Sequence, residues 1–270
     1  MRLSVLHETT YSYTAPFHYS IQQLRLTPRP CANRSVVEWQ LTGPVPLSAT
    51  PDPFDNPMHT LSITNHGSKI HVSARGLVET TPPHDGRVDE KPGRGDSPHH
   101  FVSATHFTQP DERLLDFAAA LRDRPGPAAL LDFAQLVRDA VQYETGSTHV
   151  GVTAAQALAQ GRGVCQDHAH VFAAACRARG VPCRYVSGYF CPEGAPGEAS
   201  HAWAEAWVED PLLPGGGSWT GIDVTHAGFA GERHVRLAIG RDYESAAPIR
   251  GMRSGGGAER MRVLVHITPR

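Results

Sequence analysis

Three residues in this chain have the types and settings that could do covalent chemistry: Cys165, His201 and Asp223, in that order. Cys165 follows Gly161-Arg-Gly-Val, at the point where a helical pattern begins. From there Ala169, Phe172, Ala173 and Cys176 recur on one helix face. The cysteine therefore falls in the first turn, where free backbone N–H groups and the helix dipole favour negative charge on sulfur. Glycines just before it are expected to let the chain turn tightly and a substrate approach the thiol.

A nucleophilic cysteine needs a base within hydrogen-bond reach, and the base needs a group that fixes its tautomer. Ser200 to Val208 alternates strictly, with His201, Trp203, Glu205 and Trp207 on one face and alanines on the other. Ser218 to Val224 is a second strand, joined to the first by Pro211-Leu-Leu-Pro-Gly-Gly-Gly217. If the two runs pair as a hairpin about a centre near residue 212, His201 falls opposite Asp223. Opposed side chains have Cβ atoms about 4.5–5.5 Å apart, close enough for a carboxylate to hold an imidazole. Cys165 would then be the nucleophile, His201 the base and Asp223 the orienting group. The Cys165 backbone N–H would be one oxyanion donor. Gln160 and Tyr143 are candidates for the second.

The elements around these residues read as two regions. Residues 1–80 form a β-rich domain: Leu3, Val5, Tyr11 and Tyr13 alternate, interrupted by polar His7 and Thr9, and Pro-rich turns separate the short runs. Residues 81–100, rich in Pro, Gly and charge, read as a linker, and residues 101–270 as a core with C-terminal strands. Within that core, Asp111–Arg122 and Ala128–Val141 carry helical spacing, and Thr153 to Gln156 has the form of a capping box. Gly180 and Pro182 should stop the cysteine helix. Cys183–Phe190, Val235–Ile239 and Met261–Ile267 are further strands. The expected class is α+β, with an N-terminal antiparallel β domain ahead of a core in which the cysteine helix packs on an antiparallel sheet.

Composition narrows the function classes. With 25 basic against 27 acidic residues among 270, nothing points to nucleic acid or an anionic membrane as partner. No run reaches the roughly 20 apolar residues that span a bilayer, and the N-terminus carries charge too early for a secretory leader. Five cysteines without a CxxC pair suit free thiols and a cytoplasmic location. Cys176 and Cys183 read as small buried hydrophobes. His168 and His170 lie about 300° and 500° round the helix from Cys165, so the three do not share a face for a metal, and neither metal nor cofactor is expected. Gln166, Asp167, Trp203 and Tyr143 are candidate substrate contacts, although tryptophans on such a strand also serve as packing. Arg241, Asp242 and Tyr243 could line the cleft or brace the core.

Four ordered segments together resemble the bacterial transglutaminase-like cysteine protease family: Gly161-Arg-Gly-Val-Cys165-Gln-Asp-His-Ala-His, Gly180-Val-Pro-Cys-Arg-Tyr-Val-Ser-Gly-Tyr, His201-Ala-Trp-Ala-Glu-Ala-Trp-Val and Trp219-Thr-Gly-Ile-Asp223-Val-Thr. Gly240-Arg-Asp-Tyr and Thr10-Tyr-Ser-Tyr with Leu24-Arg-Leu-Thr-Pro-Arg29 are similar as well, so the likeness covers nearly the whole chain. The resemblance implies a papain-like core, with Cys165, His201 and Asp223 in the roles above and no metal. Val224 departs from it, since the family commonly has proline after the aspartate. The implied activity is cysteine-dependent acyl transfer on a peptide or protein amide through a thioester, with hydrolysis expected over cross-linking. A protein-glutamine transglutaminase using an amine acceptor is the alternative, and a non-catalytic binding module of the same fold is a second. The oligomeric state is left open.

Overall fold

The computed structural model describes residues 1–88, 90, 97–193, 200–213 and 215–270. Part of the expected linker therefore lies outside the described residues, as does Pro214 of the hairpin loop. Among the described residues, no helix is long and apolar enough to cross a membrane.

The first sheet is built round one long strand. β1 (Arg2–Leu24) is followed by β2 (Arg34–Thr42), β3 (Leu47–Ala49), β4 (His59–Ile63) and β5 (Gly67–Thr80). These run in the order β2-β5-β1-β4-β3, all antiparallel. Leu3, Val5, His7, Thr9, Tyr11 and Tyr13 all point inward from β1, so the two polar interruptions continue the buried face rather than breaking it.

The chain then adds β6 (Arg87–Val88) and two helices, α1 (Glu112–Ala118) and α2 (Pro127–Ala140). The Asp111 carboxylate caps α1 by accepting the Leu114 amide at 2.8 Å. Next come β7 (Gln142–Tyr143), α3 (Ala154–Gln160), β8 (Arg162–Gly163) and α4 (Cys165–Ala178). Thr153 and Gln156 form the expected capping box at the start of α3, and Gly161 ends it in the left-handed region at φ 68°. The remaining elements are β9 (Cys183–Phe190), β10 (Ser200–Glu209), β11 (Gly217–Asp223), β12 (Gly228–Phe229), β13 (His234–Gly240), α5 (Tyr243–Ala246), β14 (Ile249–Gly255) and β15 (Glu259–Pro269). The second sheet runs β12-β11-β10-β9-β13, with β6 also paired to β11.

α4 is central. Its residues from Asp167 to Arg177 are all buried, and Val171, Phe172 and Ala173 share a core with α1, α2, α3 and the β10 alanines. Ala204 and Ala206 let the helix approach the sheet closely, which is why the middle of this strand face is alanine. The other face buries charge. Arg184 and Arg236 meet the Glu205 carboxylate at 2.6 and 3.1 Å, and both also pair with Glu90. Glu90 lies within the expected linker and is itself part of the charged core. β6, from the same stretch, extends the second sheet.

The C-terminal strands depart from the expected layout. β14 and β15 do not extend the core sheet; both pair antiparallel with β1, β15 from Leu3↔Pro269 to Tyr13↔Glu259. Their inward side chains Val265 and Ile267 join Leu3 and Val5 against Tyr189, Val235 and Leu237 of the second sheet. The reason lies in β1, whose 23 residues offer hydrogen-bonding length that β4 and β5 leave uncovered on one side.

Candidate active site

The cysteine helix and the β10–β11 hairpin bring the three expected residues together. His201 Nε2 lies 2.9 Å from Asp223 Oδ2. The Cys165 thiol lines the same cavity as this imidazole and interacts with it electrostatically. Burial alone would depress the His201 imidazolium, but the interactions with Asp223 and Cys165 outweigh it and push its pKa up to about 10.

The hairpin register differs from the expected one. Trp207 pairs with Trp219 and Ala204 with Ile222, so Asp223 lies diagonal to His201 rather than opposite it. The loop closes one residue later than its proline spacing suggests. Asp210 N–H donates to Gly216 O at 3.0 Å, and Gly215 and Gly216 take φ values of 89° and 78°. A register shift of two residues preserves the strand face, so the carboxylate still points at the imidazole.

Asp223 is the hub of the site. Its carboxylate is almost fully buried, and three imidazoles surround Oδ2: His201, His226 Nδ1 at 2.7 Å and His234 Nε2 at 2.8 Å. Burial opposes ionisation, yet the three hydrogen bonds hold the carboxyl well below the usual carboxylate range. The His226 amide also donates to Oδ1 at 3.2 Å. Neither His226 nor His234 stands out in the sequence. The available signal was the Asp223-Val-Thr-His226 turn spacing, in which an aspartate caps a backbone N–H three residues on. His201, Asp223 and His226 place their ligand atoms within 4.8 Å of one another, a set that could hold a transition metal, although the same atoms already hydrogen-bond to one another.

Around the imidazole, Trp203 is 1% exposed and stacks on His201 at 6.2 Å between ring centroids, with an angle of 28°. It is a wall behind the base, not a platform for substrate. Gly188, opposite His201 on β9, is needed there, since a Cβ would sit 2.6 Å from the Trp203 ring. Asp167 is also buried, so it does not contact substrate. Its Oδ2 accepts the Val164 amide at 2.8 Å and the Thr148 hydroxyl at 2.6 Å, pinning the loop ahead of the cysteine. A Cβ on Gly163 would lie 2.7 Å from Asp167 Cβ, so this glycine makes room for the carboxylate rather than for a substrate. Tyr143 is exposed on β7 and, like Gln160, does not line the cavity at Cys165. Gln166 does line it.

His168 and His170 turn away from the sulfur. The His168 ring bridges Val141 O at 2.7 Å and Thr225 Oγ1 at 3.0 Å, and His170 Nε2 accepts the Tyr243 amide at 3.0 Å. Val224, the residue without the expected proline, is buried in the helical core. Of the downstream trio, Arg241 donates to Ser103 O and Ala104 O, Asp242 caps α5, and Tyr243 lines the cavity.

That cavity, about 220 Å³, has Cys165, Gln166 and His201 on one side and β1 and β15 residues on the other. It can admit a small acyl group to the sulfur while His201 moves a proton.

Residues 117–224 match the transglutaminase-like superfamily, and residues 3–79 match the bacterial transglutaminase-like N-terminal region. An uncharacterised protein of Mycobacterium leprae is 30% identical, over 99% of this chain and 98% of its own. One from Mycobacterium tuberculosis is 30% identical over 93% of this chain and 87% of its own. The fold is shared with a candidate cysteine protease from Cytophaga hutchinsonii, with a TM-score of 0.77 at 21% identity, over 99% of this chain and 90% of that one. The chain belongs to the transglutaminase-like superfamily, with the bacterial transglutaminase-like N-terminal region ahead of its core.

Proposed function

We propose that this protein is a cysteine-dependent acyl-transfer enzyme acting on amide or peptide bonds, and that water is its usual acceptor. The observation that carries the reading is the position of His201, with Asp223 at 2.9 Å on Nε2 and the Cys165 thiol lining the same cavity. In this reading the thiol proton already rests on His201 before reaction, and the sulfur attacks the amide carbon. The resulting oxyanion lies near the backbone N–H groups that open α4. Collapse breaks the C–N bond, and the leaving amine takes its proton from His201. A thioester remains. Water then gives its proton to His201 as it attacks the thioester, releasing acid and the free thiol.

Asp223 holds the imidazole in one orientation and offsets its positive charge. The compartment proposed for this chemistry is the cytoplasm, supported by the free state of all five cysteines. Cell fractionation tests that assignment.

The test of the reaction is product analysis on a glutaminyl peptide with and without a primary amine. Acid released in both cases, and lost in Cys165→Ala, supports hydrolysis. Amine incorporated in preference to water would make the protein a transglutaminase. No thioester and no product with any amide would leave the fold as a binding module.

A further inference from the structure

β15 carries an apolar face from Met261 to Ile267, but only half of that stripe is covered. Val265 and Ile267 are buried against the second sheet, at 4% and 1% exposure. Val263 and Met261 continue the same face and are 41% and 57% exposed. They stand directly opposite Thr9 and Tyr11 of β1, and all four line the cavity at Cys165. The stripe leaves the cover of the core sheet and runs into the mouth of the site.

His7 and Thr9 on this wall already have hydrogen-bond partners. His7 is hydrogen-bonded to the Tyr189 hydroxyl at 2.8 Å and to Thr9 Oγ1 at 2.9 Å. Burial lowers the His7 pKa to about 4, so the ring is neutral. Among the described residues that line the cavity there is no Asp, Glu, Lys or Arg. At about 220 Å³ it is smaller than the roughly 300–1,000 Å³ of drug-sized sites. It has room for one or two side chains.

We infer that the first sheet is the specificity wall of the enzyme, and that Met261 and Val263 receive an uncharged apolar side chain next to the scissile amide. The inference rests on the acyl-transfer reading above. In it, the substrate covers the part of the β15 stripe that the core sheet leaves open. Against Met261 and Val263, on the wall across from His201, an acidic side chain would lose its hydration to apolar groups.

Alkylation of Cys165 by matched reagents, read by mass spectrometry, tests this. Chloroacetyl-leucinamide should modify Cys165 at least about tenfold faster than the glutamyl analogue. Met261→Lys and Val263→Lys, at exposed positions that should still fold, should reduce or invert that ratio. Ser12→Lys adds the same charge on the opposite face of β1 and should keep it. Equal rates for the two reagents in the native protein would overturn the inference, as would a ratio unmoved by both lysine variants. Iodoacetamide separates the two readings. If it selects Cys165 over Cys176 while the leucyl preference is absent, only the wall fails. If it shows no such selection, the catalytic reading fails and takes this inference with it.

Discussion

His234 donates Nε2–H to Asp223 Oδ2 at 2.8 Å, and its Nδ1 accepts the Gly231 amide at 3.0 Å. The backbone bond fixes the tautomer, so this buried ring is a permanent neutral donor to the carboxylate. Burial lowers its pKa further than the aspartate raises it, which keeps it uncharged. The orientation of His201 thus depends on a residue that does not touch the thiol.

His234→Phe should therefore cost about 1.5–3 kcal/mol of stability, the usual loss for a hydrogen bond to a charged group. Urea denaturation measures it. An unchanged midpoint would show that Asp223 is held by His201 and His226 alone.

Asp223→Asn should lower kcat steeply, by up to about 10⁴-fold, because an amide can present its N–H to the imidazole and favour the wrong tautomer. Cys165→Ala should abolish product while thermal unfolding stays cooperative. Turnover by the alanine variant at the native rate would rule the thiol out as nucleophile.

His201 keeps its proton up to about pH 10, so the Cys165 sulfur faces a cation across the neutral range. Burial pushes the Cys176 thiol well up. Iodoacetamide at pH 6 to 7 should then label Cys165 first, and His201→Ala should slow its labelling. The readout is peptide mapping of the alkylated cysteines.

Acid should destabilise the fold in the histidine range. Burial lowers His7 to about 4 and His170 to about 3, both from 6.5. Below pH 6.5 the unfolded chain takes up protons at these rings that the folded chain refuses, so stability falls as pH drops from 6.5 towards 4. His201 is protonated in both states in that window, and Asp223 stays ionised in the folded state, so neither reverses the slope. Tm measured between about pH 6 and 4.5 should decline, and His170→Leu should flatten the decline.

Glu205→Gln should be among the most damaging substitutions in the core, at about 3–5 kcal/mol, because Arg184 and Arg236 would lose a buried counter-charge. Chemical denaturation checks it. A loss below about 1 kcal/mol would mean that Glu90 alone neutralises the pair.

Much of the site was legible because its positions follow from short-range rules. The glycines and the 3.6-residue period put Cys165 at a helix start, and strand alternation put His201 on the same face as Trp203 and Glu205. The hairpin centre was misplaced by one residue, yet period-two geometry made that error harmless to the His201–Asp223 contact. For Asp167 and Trp203 the sequence leaves substrate contact and packing both open; packing buries one as a loop brace and the other as a wall.

The sequence by itself determined the helix that presents the thiol, the strands that carry the base and its carboxylate, and the order in which they meet. Only the tertiary structure decided that His226 and His234 converge on Asp223, that Glu90 neutralises buried arginines, and that β15 returns to β1. Local periodicity fixes which face a side chain occupies. Which distant face it meets depends on chain closure over many tens of residues. His7 and Thr9 show the difference: in sequence they interrupt an apolar strand, and in the fold they line the cavity beside Cys165.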